Sequence, residues 1–171
     1  MLATRREEVR VAPTATAFYD LYQREGLVVL RYLRSTVRQQ AGAEDLCADT
    51  FCRAWDAWPR FRGTDAEARA WLLRIARNLL IDAVRRDGRV KFAMLDPDQP
   101  SPQGTEVDAE VLDLRRAMAC LGRGDRELLA MRMAGLSHAE IAQVRGKSEG
   151  ATKKAWQRAL VRVREQLEGR A

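Results

Sequence analysis

The run Gly135-Leu136-Ser137-His138-Ala139-Glu140-Ile141-Ala142-Gln143-Val144-Arg145-Gly146-Lys147-Ser148-Glu149-Gly150-Ala151-Thr152-Lys153-Lys154-Ala155-Trp156-Gln157-Arg158 writes two helix beginnings on either side of one glycine. Ser137 with Glu140 three residues on is a capping box, and Ile141, Ala142 and Val144 supply the apolar side of a short helix. Gly146 provides the turn, and Ser148 caps a second helix. That helix turns Ala155, Trp156, Ala159, Leu160, Val163 and Leu167 inward and Lys153, Lys154, Gln157, Arg158 and Arg162 outward. A short helix, a tight turn and a longer helix with long polar side chains near its start is the geometry that enters a DNA major groove. Lysine and arginine pair there with guanine edges, and glutamine with adenine. An ordinary hairpin with a solvated basic face shares the outline; capping, turn and charge together favour DNA.

Working towards the N-terminus, Val111, Leu114, Met118 and Leu121 mark a helix stopped by Gly122 and Gly124, and Asp125 is placed to cap another through Met133. Residues 92–110 read as a linker. Pro97, Pro100 and Pro102 keep the chain extended, and residues 92–113 hold six acids and no Lys or Arg. The flanking blocks are basic: 17 basic against 12 acidic side chains in residues 1–91, and 13 against 6 in residues 114–171. Basic faces attract a polyanion and release its counterions, whereas the acidic stretch is repelled by the same polyanion.

The first half is helical by the same reasoning. Residues 1–14, charged and without a clean period, read as a loose terminus. From Ala15 to Arg38, Phe18, Leu21, Tyr22, Val29, Tyr32 and Leu33 recur at helical spacing, and Gln40-Ala41-Gly42 breaks the run. The next helix opens at Glu44 and Asp45, acids suited to the positive end of its dipole, and aligns Cys47, Phe51, Ala54, Trp55 and Trp58 until Pro59. After a loop from Arg60 to Asp65, a long helix runs to about Arg86, burying Trp71, Leu72, Ile75, Ala76, Leu79 and Ala83.

Composition removes other classes. With 171 residues, 46% hydrophobic and 32% charged, the chain can bury a core but not build more than two domains. Only 6% is aromatic and strand-like alternation is scarce, which argues against a sandwich or barrel. No apolar run approaches the roughly 20 residues of a membrane helix. No secretory signal is visible in Met1 to Arg10, so the expected location is the cytoplasm, without membrane insertion. Cys47, Cys52 and Cys120 form no C-x-x-C pair, and Cys47 sits on the apolar stripe, so neither a disulfide scaffold nor a metal site is expected. His138 is the single histidine, and no phosphate loop or nucleophile elbow occurs; an enzyme is not expected, nor a cofactor.

Taken together, the two halves resemble an extracytoplasmic-function sigma factor, the minimal two-domain sigma subunit of bacterial RNA polymerase. Ala43-Glu44-Asp45-Leu46, Thr50-Phe51 and Arg53-Ala54-Trp55 resemble that family's polymerase-binding helix. Phe61-Arg62-Gly63, then Trp71-Leu72-Leu73-Arg74-Ile75-Ala76-Arg77-Asn78, Asp82 and Arg85-Arg86, resemble its promoter-melting segment. Gly135-Leu136-Ser137, Glu140-Ile141-Ala142, Ser148-Glu149-Gly150, Lys153 and Arg158-Ala159 resemble its second DNA-binding domain. The chain departs from the pattern at Ala48 and Asp49, where Gln and Glu are usual. It departs also in a loop from Gly63 to Trp71 one residue longer than common, and in Ala151-Thr152-Lys153-Lys154-Ala155-Trp156.

The resemblance implies an all-α chain of two small helical domains, region 2 over residues 15–91 and region 4 over 111–171, joined by a flexible acidic linker. It implies promoter-specific initiation on core RNA polymerase, with promoter DNA as a second partner and an anti-sigma factor as a further candidate. Polymerase binding is expected on Glu44, Asp45, Asp49, Arg53 and Asp56, a charged face left over by the apolar stripe. The minus-ten element falls to Arg62, Arg74, Arg77, Asn78, Arg85 and Arg86, and the minus-thirty-five element to Lys147, Ser148, Lys153, Lys154, Gln157 and Arg158. The resemblance also routes the linker through the polymerase rather than along DNA. A free-standing helix-turn-helix regulator would explain residues 125–167 and leave the Trp-rich first half without a role.

Overall fold

The computed structural model describes residues 11–37, 40–87 and 109–169. Most of the acidic stretch, and the terminus up to residue 10, lie outside the described residues. Among these described residues seven α-helices and one 3-10 turn follow one another: α1 (Ala15–Arg34), α2 (Gln40–Ala57), the turn Trp58–Arg60, α3 (Asp65–Asp87), α4 (Ala109–Ala119), α5 (Arg123–Met133), α6 (His138–Arg145) and α7 (Glu149–Glu168). Among the described residues there is no strand, and no helix long and apolar enough to cross a membrane.

Helices α1, α2 and α3 pack as a three-helix bundle. Thr14 caps α1 by accepting from the Ala17 N–H at 3.1 Å. Leu21, Val29, Tyr32 and Leu33 of α1 meet Ala43, Phe51 and Ala54 of α2 and Leu72, Leu73, Ala76 and Leu80 of α3 in one buried cluster. Each fully buried leucine contributes about 1.5–3 kcal/mol to holding that bundle. Helix α2 begins four residues earlier than the acids at 44 and 45 predict. Gly42 falls within this first turn, where an added Cβ would lie in ordinary contact with Val37 at 3.4 Å, so it does not break the helix there.

Several apolar assignments differ. Tyr22, Trp55 and Leu160 are exposed rather than core, and Trp71 and Ile75 are only partly buried. Tyr22 and Trp55 lie at the margin of the bundle, each keeping an edge-on contact to Phe51 or Phe18. Periodicity marks a stripe, but how much of it is covered depends on the width of the neighbouring helix. The N-cap of α5 is Gly122, whose carbonyl accepts from the N–H groups of Asp125 and Arg126 at 3.1 Å each. Asp125 therefore lies inside the first turn, where its carboxylate pairs with Arg162 of α7.

The second half folds α4, α5 and α6 around α7. Ala117, Met118, Leu121, Leu129 and Val163 form a small cluster of their own. Leu128, Met131, Leu136, Ile141 and Val144, by contrast, join the cluster of the first bundle. The contact is made by α6 against α3 and by α5 against α1, so the two halves share a core.

Candidate nucleic-acid interface

The helix-turn-helix is built as its caps dictate. The Glu140 N–H donates to Ser137 Oγ at 3.2 Å while Glu140 Oε2 accepts from the Ser137 N–H at 2.7 Å. Gly146 takes a left-handed φ of 62°, a conformation that glycine adopts without a Cβ clash, and the Lys147 N–H then donates to the Ala142 carbonyl at 2.9 Å. Ser148 Oγ accepts from the Ala151 N–H at 3.2 Å and starts α7. Thr152, Ala159 and Val163 are buried, with Ala155, Trp156 and Leu167 partly so. Trp156 carries His138 against its ring at 6.1 Å and the Arg132 guanidinium over it at 5.6 Å. His138 is thus partly buried, in contact with this joint.

Lys147, Ser148, Lys153, Lys154, Gln157 and Arg158 are all exposed. They occupy the N-terminal half of α7 and the turn before it. Lys153 Nζ reaches Glu149 Oε1 at 2.7 Å, which holds that exposed carboxyl below its usual range. Arg162, expected on the same displayed face, is instead committed to Asp125.

The face of α3 is arranged otherwise. Trp58 anchors the loop below it: its Nε1–H donates to the Thr14 carbonyl at 2.9 Å and its ring stacks on Phe61 at 5.2 Å. Gly63 has no room for a side chain, since a Cβ would meet Phe61 Cζ at 2.5 Å. Thr64 and Glu67 then cap α3 reciprocally. Arg62 donates to the Pro59 and Phe61 carbonyls at 2.8 Å each. A cleft of about 340 Å³ opens here, lined by Phe61, Arg62, Gly63, Trp71, Arg74 and Gln143. Asn78, Arg85 and Arg86 are exposed on α3.

Arg74 and Arg77, however, face the second half. Arg74 Nη2 donates to the Gln143 carbonyl at 3.2 Å. Arg77 Nε donates to Glu127 Oε1 at 2.5 Å, and Arg145 Nε lies 3.8 Å from the other oxygen of that carboxylate. A second cluster sits nearby: Arg69 bonds Glu25 Oε2 at 2.7 Å and Glu140 Oε1 at 3.1 Å. Its hydrogen bond to Glu25 raises the Arg69 pKa against the opposing effect of burial. Burial pushes Glu140 upward, but the Ser137 hydrogen bonds and Arg69 outweigh it and leave that carboxyl below its usual range. Burial, with Glu127 adding to it, drives the Tyr32 hydroxyl far above its usual pKa.

Glu25 and Glu127 are the residues that sequence reading missed. Both are buried, at 5% and 6% exposure, on stripes that otherwise hold apolar side chains. The signal was present: Glu25 falls midway between Leu21 and Val29 on one face of α1, and an acid in such a place requires a cation across from it.

On α2, Glu44, Asp45, Asp49, Arg53 and Asp56 are exposed, with Glu44 paired to Arg34 at 2.8 Å. Cys47 is half-buried and burial pushes its thiol up, as befits a packing residue. Among the described residues no group of His, Cys, Asp or Glu is placed to hold a metal.

Comparison with known proteins bears on both halves. Residues 21–90 match the family model for sigma-70 region 2, and residues 112–163 the model for sigma-70 region 4. The chain is 36% identical over 160 residues to the ECF RNA polymerase sigma factor BldN of Streptomyces coelicolor, covering 87% of this chain and 60% of that protein. It is 31% identical over 149 residues to the ECF RNA polymerase sigma factor SigL of Mycobacterium tuberculosis, covering 83% and 84%. Among solved structures, the sigma factor RpoE in complex with the anti-sigma factor NepR from Bartonella quintana superposes with a TM-score of 0.64 at 28% identity, over 87% of this chain and 97% of that one.

Proposed function

The chain belongs to the extracytoplasmic-function RNA polymerase sigma factors, and from this we propose how its own residues divide the work of promoter-specific initiation. Docking on core RNA polymerase is the task of α2, through Asp45, Asp49, Arg53 and Asp56 beside Glu44. These side chains make a charged face that the bundle does not use for packing. The minus-ten strand falls to the loop at Arg62 and to Arg74, Arg77, Asn78, Arg85 and Arg86 of α3. A displaced base needs hydrogen bonds to its edge and cations for its phosphates; Asn78 offers both donor and acceptor, and the arginines supply the charge. The sigma factor RpoE of Bartonella is seen with an anti-sigma protein, which supports placing such a protein among the partners here.

The minus-thirty-five element falls to α7, and one observation carries this assignment: Lys153, Lys154, Gln157 and Arg158 stand exposed together just beyond a capped turn. Lys147 and the amides behind Ser148 grip phosphate and set register; the four side chains of α7 read base edges. A free-standing operator-binding regulator would need only α5, α6 and α7 and would leave α2 and α3 without a task.

The test is transcription in vitro with core polymerase and genomic fragments, with start sites mapped, followed by selection from randomised upstream sequences. Arg158→Ala should relax discrimination at one or two upstream positions by about 1–3 kcal/mol, the worth of a bidentate base contact. Lys147→Ala should instead lower affinity for all sequences alike. Recovery of an identical motif by wild type and Arg158→Ala would remove Arg158 as a reader.

A further inference from the structure

Trp156 of α7 is the point at which three helices of the second half meet. It packs against both hydrophobic clusters, the one shared with the first bundle and the small one of the second half. The Arg132 guanidinium of α5 lies over its ring at 5.6 Å, and the His138 ring of α6 meets it edge-on at 6.1 Å. Arg132 is itself tied to the turn between α5 and α6, because its Nη1 donates to the Leu136 carbonyl. Among the described residues, Arg132 Nε and His138 Nε2 are shielded from solvent with no hydrogen-bond partner. Polar atoms left so are costly, and contact with the indole is what they receive in exchange.

What stands beside Trp156 on the covered side of α7 is small. Thr152, Ala155 and Ala159 share that side with it over the first three turns, and Leu160 is exposed. Small ridges give a neighbouring helix little to lock into, so the rotation of α7 about its own axis is fixed chiefly by the one large side chain. The next two residues along the chain are Gln157 and Arg158. A roll of about 10° carries a side-chain tip about 6 Å from the helix axis through about 1 Å. A hydrogen bond to a base edge holds only over about 2.7–3.2 Å, so a displacement of that size breaks one contact and admits another.

We propose that Trp156, clamped by Arg132 and His138, is a positioning residue that sets the base preference of α7 without touching DNA. The proposal rests on the assignment of α7 to the minus-thirty-five element. The clamp sets the roll of the helix, and the roll decides which base edges Gln157 and Arg158 reach. The grip on phosphate is separate from it. Lys147 is tied to α6 through its N–H bond to the Ala142 carbonyl at 2.9 Å, and the first amides of α7 sit at its capped end. Affinity for duplex of any sequence therefore persists when the reading changes.

Holoenzyme assembled with wild type, Trp156→Leu, Trp156→Phe, Arg132→Met or Arg158→Ala serves for the test, each put through selection from randomised upstream sequences. Binding to a duplex lacking the selected motif is measured beside it. Trp156→Leu should change the preferred bases at the positions that Arg158→Ala relaxes, with discrimination there falling about tenfold, the scale of one base contact. Its binding to the motif-free duplex should stay at the wild-type level. Trp156→Phe keeps a ring under Arg132 and should restore the wild-type motif. Arg132→Met keeps the length of the stem and loses the charge over the ring, so it should move the same positions by a smaller factor. A folded Trp156→Leu that returns the wild-type motif, or that loses affinity for all duplexes alike, would overturn the proposal. If Trp156→Leu does not fold, an unchanged motif from Arg132→Met overturns it instead. A motif that Arg158→Ala also leaves unmoved would remove the assignment of α7 itself, whereas one moved by Arg158→Ala alone removes only the positioning.

Discussion

Helices α3 and α7 are the long basic helices of the two halves, and both present arginine, a polar amide and further cations at helical spacing. On α7, Lys154, Gln157 and Arg158 stand in solvent. On α3, Arg69, Arg74 and Arg77 are engaged by Glu140, the Gln143 carbonyl and Glu127, while Asn78, Arg85 and Arg86 remain exposed. The difference lies in what stands opposite. Helix α7 has its apolar side covered by its own half and, among the described residues, no helix over its leading face. Helix α3 is covered on one side by α1 and α2 and on another by α6. The same residue type is therefore an anchor in one place and left in solvent in the other.

The strongest way to break this comparison is to remove one arginine from each helix and measure stability. Arg77→Ala leaves Glu127 buried with Arg145 alone, and loss of one partner of a buried pair costs about 3–5 kcal/mol. At about 2–4 °C per kcal/mol for a chain of this size, the unfolding midpoint should fall by roughly 6–20 °C. Arg158→Ala should leave it unchanged within about 0.5 kcal/mol. Equal midpoints for the two variants would erase the distinction.

A second test stays on α3. Asn78 is exposed one residue beyond Arg77, so Asn78→Ala should spare stability and impair promoter opening several-fold more than duplex binding. Open-complex yield equal to wild type, read by permanganate footprinting, would take the strand away from Asn78. Smaller still is the effect expected at the start of α7. Ser148→Ala removes the acceptor for the Ala151 N–H and should cost about 1 kcal/mol, seen as a lower melting temperature of the chain by calorimetry.

The smallest effect is one of pH. Glu140 titrates below its usual value, facing Arg69 of α3, with Glu25 of α1 on the far side of that arginine and the Ser137 cap on its own helix. Its contribution is complete above the ordinary carboxylate range of about 4.3 and is lost as pH falls through the lowered folded value. The contact of α6 with α3 should thus be indifferent to pH between about 5 and 8 and loosen only below about 4. Amide exchange in α6 that quickened between pH 7 and 6 would contradict this.

Much of this was legible in the chain. The capping box at Ser137, the glycine turn at 146 and the cap at Ser148 are local, set by hydrogen bonds within four residues, and they formed as the spacing predicts. The apolar stripes of α1, α2 and α3 gave the bundle for the same reason. The exposed polar side chains of α7 and the charged face of α2 followed as the remainder. Errors came where coverage mattered: Tyr22, Trp55 and Leu160 share a stripe with buried residues yet face water. Asp125, a good cap by composition, was displaced by Gly122, whose carbonyl serves the first turn while the aspartate is drawn to Arg162.

What the amino-acid sequence determined by itself is helix, turn and which side of each helix is apolar, because those depend on neighbours three and four residues away. Which arginines are free was decided only by the tertiary structure. Arg77 and Glu127 are 50 residues apart in the chain, and Arg69 and Glu140 are 71. No local rule couples positions at that separation. The pairings exist because α5 and α6 pack against the first bundle, and there a carboxylate removed from water must find a cation.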